Sequence, residues 1–332
     1  MIAITGGGTG GHLKIAKVIK NELNKRGIKP IYIGSTTGQD REWFENEDGF
    51  EEKYFFNSSG VVNKKGIDKI KSLSHILKLS FEAKEILKKH NINKVFSVGG
   101  FSAAPASFAA VLSSKELYIH EQNANIGTLN KILKPFSKKF FNTFLYNEPY
   151  PVDDIFFESA RVRSEIKTII FLGGSQGASF INDLALKLAP KLKEKNINII
   201  HQCGKRDYEK VKNFYEKNKI KADFFDFDKN LVEKIKKADL AISRAGASTL
   251  FELAANQLPA IYIPYPFAAK DHQYHNAKFL EKKNASFVYR QNEVTIEKIL
   301  KIIEINLKNY SQNLAKINQR NGAKYIVDEI LK

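Results

Sequence analysis

The chain is 332 residues long, 43% hydrophobic and 27% charged, which is enough for two domains with cores of their own and argues against a disordered or fibrous protein. A net charge of +17 is compatible with binding to nucleic acid, anionic lipid or a polyanionic substrate, and equally with biased genome composition. The single cysteine, Cys203, excludes disulfides and cysteine metal clusters, and we expect neither a signal peptide nor a membrane span, since apolar runs fall short of the ~20 residues that a bilayer requires.

The first dozen residues combine a strand, a glycine-rich turn and the start of a helix. A strand predicted at 2–4 runs into Gly6-Gly7-Gly8-Thr9-Gly10-Gly11-His12, and apolar residues then recur at helical spacing. This arrangement directs backbone N–H groups and a helix dipole at one point, which suits an anionic ligand. The spacing matches G-x-G-x-x-G, but the second strand (31–33) ends without the acidic residue of a dinucleotide site, and His12 stands where a Walker A loop requires lysine. The pattern predicts a glycine loop that brings an imidazole to the mouth of a sheet.

The segment from Asn63 to His90 is both basic and apolar. It contains eight lysines against three acidic residues, and its apolar residues recur at helical spacing. A basic, apolar helix can lie on a membrane surface, but a packed helix with a solvated lysine face has the same composition. The sequence is compatible with both.

Strands alternate with helices along the chain, which predicts an α/β protein with parallel sheets. Strands of the first half are predicted at 2–4, 31–33, 94–98, 117–119 and near 140–144. The third runs into Gly99-Gly100-Phe101 and the fourth into His120-Glu121-Gln122-Asn123. Because the carboxyl ends of parallel strands meet at one edge of a sheet, we expect these loops to converge with the first glycine loop.

A turn-rich break at 149–154 separates this pattern from a similar second half. A strand at 168–172 enters Gly173-Gly174-Ser175-Gln176-Gly177, and the strand near 239–242 leads into a loop that starts a helix at about 245–249. The remaining strands are predicted near 197–200, 222–227 and 259–263, and the stretch from Val294 is helical. We therefore expect a domain at 1–150, a linker at 151–165 and a domain at 166–332, whose last helix could return to the first domain.

Four predicted loops start helices with small or hydroxyl residues, namely 6–12, 99–103, 173–178 and 245–249. Single loops of this kind serve tight turns, but matching loops in two halves favour an anionic ligand. Ser248 and Thr249 would suit a diphosphate held without metal, or simple N-capping. Glu252, one turn further, could accept hydrogen bonds from a ribose diol or be a solvated helix residue.

Three further groups of polar residues have less specific patterns. Asp226 and Asp228 could hold a divalent cation, but their place between a strand and a helix favours turn and capping roles. The run Asp271-His272-Gln273, with Asn276 beyond it, looks like a polar loop that binds a sugar. His201 and Cys203 lie on one predicted strand and are interpreted as core or edge residues.

Five motifs in this order resemble the MurG family, bacterial transferases that add N-acetylglucosamine (GlcNAc) to undecaprenyl-pyrophosphoryl-MurNAc-pentapeptide. The motifs are Gly7-Gly8-Thr9-Gly10-Gly11-His12, His120-Glu121-Gln122-Asn123, Gly173-Gly174-Ser175-Gln176-Gly177-Ala178, Arg244-Ala245-Gly246-Ala247 through Glu252, and Asp271-His272-Gln273 with Asn276-Ala277. They span nearly the whole chain, from Ile2 to about Ala285, and the five together are strongly specific. The resemblance implies a GT-B fold, in which two Rossmann-like domains with parallel sheets face each other across a cleft.

The resemblance also implies roles for individual residues in a metal-independent, cofactor-free inversion. The base that activates the acceptor 4-hydroxyl would be His12, with Glu121 as the alternative. Further residues on the acceptor side would be Thr9, Gly10, Gly11 and Asn123. Residues that bind UDP-GlcNAc would be Gly174, Ser175 and Gln176 at the nucleotide, Thr249 at the diphosphate beside Ser248, Glu252 at the ribose, and His272 with Gln273 at the sugar.

One departure from the family concerns the donor phosphate. The family's linker reads N-P-V-R, and its arginine is thought to meet that phosphate, whereas this chain has Tyr150-Pro151-Val152-Asp153. Arg161, Arg163 or Arg244 could supply the charge instead.

The resemblance implies UDP-GlcNAc and lipid I, the lipid-linked MurNAc-pentapeptide, as substrates. It also implies peripheral attachment to the anionic cytoplasmic face of the bacterial inner membrane, with other cell-wall synthesis proteins as partners. A related GT-B enzyme with another lipid acceptor, such as a diacylglycerol, and a UDP-GlcNAc epimerase are the alternatives. A basic protein that binds nucleic acid would not explain the paired glycine loops, so we expect no nucleic-acid partner.

Overall fold

The computed structural model describes residues 1–60, 65–174, 177–228, 230–317 and 319–332. The chain divides into two units, of which the first comprises Met1–Val152 with Asn321–Lys332 and the second comprises Asp153–Arg320. Each unit is built on one six-stranded parallel sheet with helices between the strands. The α/β architecture expected from the sequence is therefore confirmed.

The sheet of unit 1 has the strand order β3-β2-β1-β4-β5-β6. Its strands are β1 (Ile2–Thr5), β2 (Ile31–Ser35), β3 (Lys53–Phe56), β4 (Lys94–Ser97), β5 (Glu116–His120) and β6 (Lys139–Phe141). Its helices are α1 (Gly10–Lys25), α2 (Asp40–Phe44), α3 (Gly66–Lys89), α4 (Ala104–Leu112), α5 (Thr128–Leu133), α6 (Thr143–Tyr146) and the last helix of the chain, α15 (Gly322–Leu331).

The central strands of unit 1 are continuous apolar runs because helices cover both faces of the sheet. Ala3 and Ile4 in β1 are fully buried, and α1 buries its apolar stripe, including Leu13 and Ile19. Helix α15 packs on α1, and Arg26 at the end of α1 pairs with Asp328 at 2.7 Å.

The sheet of unit 2 has the strand order β12-β11-β10-β7-β8-β9. Its strands are β7 (Thr168–Leu172), β8 (Asn198–Gln202), β9 (Ala222–Phe225), β10 (Leu240–Ser243), β11 (Ala260–Tyr262) and β12 (Phe287–Val288). Its helices are α7 (Asp154–Glu158), α8 (Ser179–Glu194), α9 (Tyr208–Lys217), α10 (Leu231–Lys237), α11 (Ala247–Ala255), α12 (His272–Glu281), α13 (Ile296–Ile303) and α14 (Lys308–Ala315).

Both sheets follow the doubly wound order in which the first and fourth strands of the unit are neighbours. The strand order reverses at this point, so the loops after β1 and β4, and those after β7 and β10, diverge there and leave a crevice at the carboxyl edge. The two glycine-rich loops, after β1 and β7, therefore lie where open α/β sheets bind ligands.

Two strands, β3 and β12, were not predicted from the sequence. Both are edge strands, and their side chains are half-buried rather than buried on both faces. The apolar signal that marks a central strand is correspondingly weak in them. Among the described residues, no helix combines the length and apolar character needed to cross a membrane.

Candidate active site

The first glycine loop ends at His12, in the first turn of α1. The Nδ1 atom of His12 lies 3.1 Å from Thr9 Oγ1, and its Nε2 atom lies 3.0 Å from the amide nitrogen of Gln122, which follows β5. The same amide nitrogen is 3.3 Å from His12 Nδ1, so the Gln122 side chain lies within hydrogen-bond distance of both ring nitrogens. Gly99, after β4, accepts the Gly7 N–H at 3.1 Å. Loops from three strands thus surround one half-buried imidazole.

His120, at the end of β5, is the other histidine of this region. Burial, together with a smaller contribution from nearby His12, lowers the pKa of His120 to about 3. The His120 ring packs edge-on against Tyr150, with the ring centroids 5.4 Å apart. His120 is therefore neutral near pH 7, and only His12 is exposed enough to exchange a proton with a substrate.

Glu121, the alternative base, is 3% exposed and makes its contacts inside the β5–α5 loop. One carboxylate oxygen accepts from the backbone N–H of Asn123 at 2.9 Å. The other accepts from Gly127 N and Asn130 Nδ2, each at 2.9 Å. A carboxylate engaged in this way shapes the loop that carries Gln122 and Asn123, and the geometry favours this role over proton transfer.

The first glycine loop also meets a pair of side chains that the sequence pattern did not reveal. The backbone N–H of Gly8 donates to the carboxylate of Asp40, and that of Gly10 donates to Gln39 Oε1 at 2.8 Å. Gly8 and Gly10 therefore do not offer these N–H groups to an anionic ligand, contrary to the expectation from the loop pattern. A signal was available, since Asp40 lies five residues after β2, close to where a dinucleotide site has its acidic residue.

The second glycine loop leads from β7 into α8. Gly174 has a φ of +83°, and its carbonyl accepts the N–H of Gly177 at 3.0 Å. Gly177 also has a positive φ, and a Cβ atom there would lie 2.7 Å from the carbonyl oxygen of Cys203, so only glycine fits. Ser175 and Gln176 lie outside the described residues, and their expected contacts with a nucleotide stay predictions.

The loop after β10 leads into α11, with Gly246 as the N-cap residue. Ser248 and Thr249 lie in the first turn, where the helix dipole creates positive potential. Glu252 follows one turn later and is 6% exposed, which excludes the interpretation of a solvated helix residue. A buried glutamate this close to a helix start suits a ligand with hydroxyl groups.

Helix α12 holds the same loop from the other side. The Gln273 carbonyl oxygen accepts the N–H of Ala245 at 3.2 Å and that of Tyr265 at 3.0 Å, while Asn276 Nδ2 donates to the Ala245 carbonyl at 3.2 Å. Since the oxygen of Gln273 is used in this way, a ligand that binds Gln273 meets its N–H donors.

The other two residues of the Asp271-His272-Gln273 run have different surroundings. Asp271 pairs with Arg290 at 2.7 Å, so its carboxylate is partly neutralised within unit 2. His272 Nδ1 lies 2.9 Å from the carbonyl of Ala269 and donates to it, which leaves Nε2 as the acceptor atom of His272.

Both units match the models of one protein family. The N-terminal domain of glycosyltransferase family 28 matches residues 2–142, and its C-terminal domain matches residues 168–330. The UDP-N-acetylglucosamine--N-acetylmuramyl-(pentapeptide) pyrophosphoryl-undecaprenol N-acetylglucosamine transferase of Campylobacter jejuni (strain RM1221) is 58% identical, over 99% of this chain and 97% of the relative. The enzyme of the same name from Campylobacter fetus is 55% identical over 100% of both chains. The crystal structure of Acinetobacter baumannii MurG matches with a TM-score of 0.79 and 27% identity, covering 100% of this chain and 98% of the other. This chain belongs to the MurG family.

Membership of the MurG family confirms the fold class and the enzyme class expected from the sequence. The chain is a glycosyltransferase with a GT-B fold. The N-terminal family 28 domain lies within unit 1, and the C-terminal one covers most of unit 2 and extends into α15 of unit 1.

The structure also bears on the missing linker arginine of the MurG family. Arg161 pairs with Asp239, which precedes β10, and Arg163 is 1% exposed and bonds to Asn256 and to the carbonyl of Ala238. These groups lie at the amino ends of the strands, on the edge opposite the glycine loop. Neither arginine is therefore placed to meet a phosphate at the carboxyl edge.

Arg244 lies at the carboxyl edge of the second sheet, directly after β10. Its Nη1 atom donates to the carbonyls of Ile263 and Pro264 at 3.0 and 3.1 Å, and its Nη2 donates to Gln291 at 3.1 Å. Its Nε is buried and has no hydrogen-bond partner among the described residues. Burial lowers the pKa of Arg244 from its usual value. Of the three arginines, this one lies at the carboxyl edge of its sheet.

The remaining polar residues have structural contacts. The carboxylate of Asp226 accepts a hydrogen bond from the N–H of Phe227 at 2.7 Å. The carboxylate of Asp228 accepts one from the N–H of Asn230, also at 2.7 Å, and both contacts are typical of turn residues. His201 is buried, and its nitrogens lie 3.0 Å from the Tyr215 hydroxyl and from the Asn182 carbonyl oxygen. Cys203 is a buried residue of the second core. Within the described ranges, no group of three His, Cys, Asp or Glu residues has the geometry of a metal site.

Proposed function

We propose that this chain transfers GlcNAc from UDP-GlcNAc to the 4-hydroxyl of MurNAc in lipid I, which gives lipid II for peptidoglycan synthesis. The observation that carries the proposal is the end-to-end match with relatives named for this activity, at 58% identity over 99% of the chain. Because both domains match along their whole length, a donor site and an acceptor site are inherited together.

The donor is assigned to unit 2. Ser248 and Thr249, at the start of α11, would hold the diphosphate, and Arg244 would supply a positive charge beside it. Glu252 would accept hydrogen bonds from the ribose hydroxyls. The remaining contacts would come from Gly174, Ser175 and Gln176 to the nucleotide and from His272 and Gln273 to the sugar.

The acceptor is assigned to unit 1, where Thr9, Gly11 and Asn123 border His12. In a single displacement, the acceptor 4-hydroxyl oxygen bonds to the anomeric carbon while the bond from that carbon to the UDP oxygen breaks, so the configuration inverts. UDP leaves with the electron pair of that bond, and His12 takes the hydroxyl proton. Histidine suits this task at neutral pH.

The surroundings of His12 support its role as the base. If Nδ1 carries its proton and donates to Thr9 Oγ1, Nε2 presents its lone pair in the plane of the ring. The Gln122 amide nitrogen lies 3.0 Å from Nε2 and 3.3 Å from Nδ1, so Gln122 helps to orient the imidazole. We assign Glu121 the task of holding the loop that carries Gln122 and Asn123.

We further propose that α3 attaches the enzyme to the anionic cytoplasmic face of the bacterial inner membrane. Five apolar side chains on one side of this helix are exposed: Ile67 (71%), Ile70 (68%), Leu73 (51%), Leu77 (52%) and Phe81 (54%). Exposed lysines flank them, while the opposite side of α3 packs into unit 1. A packed helix with only a solvated lysine face would not expose this much apolar surface, so the membrane interpretation is favoured. Residues 63 and 64 of the basic segment lie outside the described residues.

The test is an assay of the purified protein with UDP-GlcNAc and a lipid I analogue, with and without EDTA. We expect GlcNAc transfer and UDP release at rates that EDTA does not change. Loss of turnover in EDTA, restored by Mg²⁺ or Mn²⁺, would contradict the metal-free mechanism. Transfer to a diacylglycerol in place of the lipid I analogue, or epimerisation of UDP-GlcNAc without acceptor, would identify one of the alternative enzymes.

A further inference from the structure

A short segment after β2 is built against the first glycine loop. The carboxylate of Asp40 is fully buried and accepts three hydrogen bonds, from the N–H of Gly8, from the N–H of Ser35 at 3.1 Å and from the hydroxyl of Tyr32 at 3.1 Å. The Tyr32 hydroxyl also lies 2.9 Å from the carbonyl oxygen of Gly6, so its one proton is shared between that oxygen and the Asp40 carboxylate. Asp40 thus connects the glycine loop to the second strand of the sheet.

The fit between the two segments is close. A Cβ atom at Gly7 would lie 2.7 Å from Asp40 Oδ1, and a Cβ atom at Gly38 would lie 2.8 Å from the carbonyl oxygen of Gly8. The glycine run therefore has room for the Asp40 carboxylate but for little else. Next to Asp40, Gln39 accepts the N–H of Gly10, so the loop is held on both sides of Thr9.

We propose that Asp40 is a positioning residue for the transfer reaction: its carboxylate fills the anion position of the first glycine loop, holds Thr9 and His12 in place and excludes a substrate phosphate from the amides of Gly8 and Gly10. The proposal rests on the assignment of His12 as the base.

Two physical reasons support this role. A glycine run has high conformational freedom, so a base at its end is placed accurately only if the loop is fixed by other groups. Two anchored amides, at Gly8 and Gly10, provide this just before His12. A buried carboxylate would also repel the negative charge of a diphosphate at the same amides. The acceptor diphosphate must then be bound by groups other than the amides of Gly8 and Gly10.

The test is chemical rescue of Asp40→Ala. This variant leaves the N–H groups of Gly8 and Ser35 without their acceptor and opens a space of about the size of the lost carboxylate, which formate can enter. We expect kcat to fall on the order of a hundredfold while the KM for UDP-GlcNAc stays within about twofold of the wild type. Added formate should restore turnover, and chloride at equal ionic strength should not.

Two further variants keep the proposal testable if Asp40→Ala folds poorly. Gln39→Ala removes only the half-buried acceptor of the Gly10 N–H and should lower kcat in the same way but by less. Glu42→Ala removes an exposed carboxylate of the same short helix and should change nothing. An unchanged kcat in Gln39→Ala together with poor folding of Asp40→Ala would overturn the proposal, as would a loss of activity in Asp40→Ala that formate does not reverse.

Failure of the proposed function is seen separately. If the wild type transfers no GlcNAc, that function fails, yet the anion position is still tested by melting temperature. Formate should raise the Tm of Asp40→Ala and leave that of the wild type unchanged. Equal Tm shifts in both proteins would refute the anion position.

Discussion

The two proposed bases, His12 and Glu121, are separated by replacing each with glutamine. His12→Gln keeps a polar group of similar size but removes the proton acceptor. Loss of a general base costs about a hundred- to ten-thousand-fold in kcat, which is roughly 3–5 kcal/mol of barrier. His12 is half-buried and its side chain contacts Thr9 and Gln122, so we expect the Tm to change by no more than about 2 °C.

Glu121→Gln should show the opposite pattern. An amide keeps one acceptor oxygen and turns its NH₂ group towards the Asn123 N–H in one orientation, or towards Gly127 N and Asn130 Nδ2 in the other. Each charge-assisted hydrogen bond lost costs about 1.5–3 kcal/mol, so the less costly orientation, which loses the Asn123 bond, costs about 1.5–3 kcal/mol. At about 2–4 °C per kcal/mol for a unit of this size, the Tm should fall by roughly 3–12 °C.

The assay compares kcat and Tm for both variants, with turnover measured well below the Tm of Glu121→Gln. There we expect Glu121→Gln to keep its kcat within about tenfold of the wild type, since Gln122 and Asn123 regain their positions when the loop is folded. If Glu121→Gln loses turnover by a hundredfold or more at an unchanged Tm, while His12→Gln retains most of its turnover, the assignment of His12 is refuted and Glu121 is the base.

Three other predictions concern the donor, the membrane and pH. Glu252→Ala should weaken the binding of both UDP and UDP-GlcNAc by about 1–3 kcal/mol, as measured by calorimetry. An unchanged Kd would refute the assignment of Glu252 to the ribose. Binding to anionic vesicles, measured by sedimentation, should weaken as salt is added. Lys69→Glu on α3 should weaken it by about 1 kcal/mol or more, whereas Lys217→Glu in unit 2 should leave it unchanged. Binding that does not depend on lipid charge or salt would exclude an electrostatic contribution. Burial lowers the pKa of His120 to about 3 and that of His201 to about 4, so the unfolded chain takes up these protons first on acidification. The two neutral histidines therefore contribute their full stabilisation above about pH 6.5. Below that pH, each histidine should lower the free energy of unfolding by about 1.4 kcal/mol per pH unit. Urea unfolding at about pH 7 and about pH 5 measures this change, and an unchanged free energy of unfolding would contradict burial in the neutral form.

The fold was predictable from sequence where burial on both faces leaves a continuous apolar run. Strand β1 reads Ile2-Ala3-Ile4, and all three residues are buried. The half-buried edge strands β3 and β12 lack this signal, and β12 is only two residues long. The sequence pattern does not show which of several similarly hydrophobic strands lies at the edge of the sheet, because that position depends on pairing between strands that are distant along the chain.

The candidate site was predictable where chemistry is concentrated in one loop, as at His12. It was not predictable where a side chain reaches a loop from far along the chain. Asp40 is 32 residues from Gly8, and Gln122 is 110 residues from His12. The exclusion of Arg161 and Arg163 from the donor phosphate likewise required the sheet, because only the strand direction shows that they lie at the amino edge.

The two units place an acidic residue at the same point of the same strand order and use it differently. Asp40 lies five residues after β2, and Asp207 lies five residues after β8. Asp40 accepts an N–H of the glycine loop itself, whereas Asp207 accepts from the side chains of Ser179 and Asn182 in α8, at 2.7 and 2.8 Å. In the described part of the second loop, the N–H of Gly177 bonds instead to the Gly174 carbonyl. Asp207 therefore anchors the helix behind the second loop, whereas Asp40 holds the first loop itself. A carboxylate bound to the amides of a loop fixes that loop, which agrees with the proposal that the first loop positions the base.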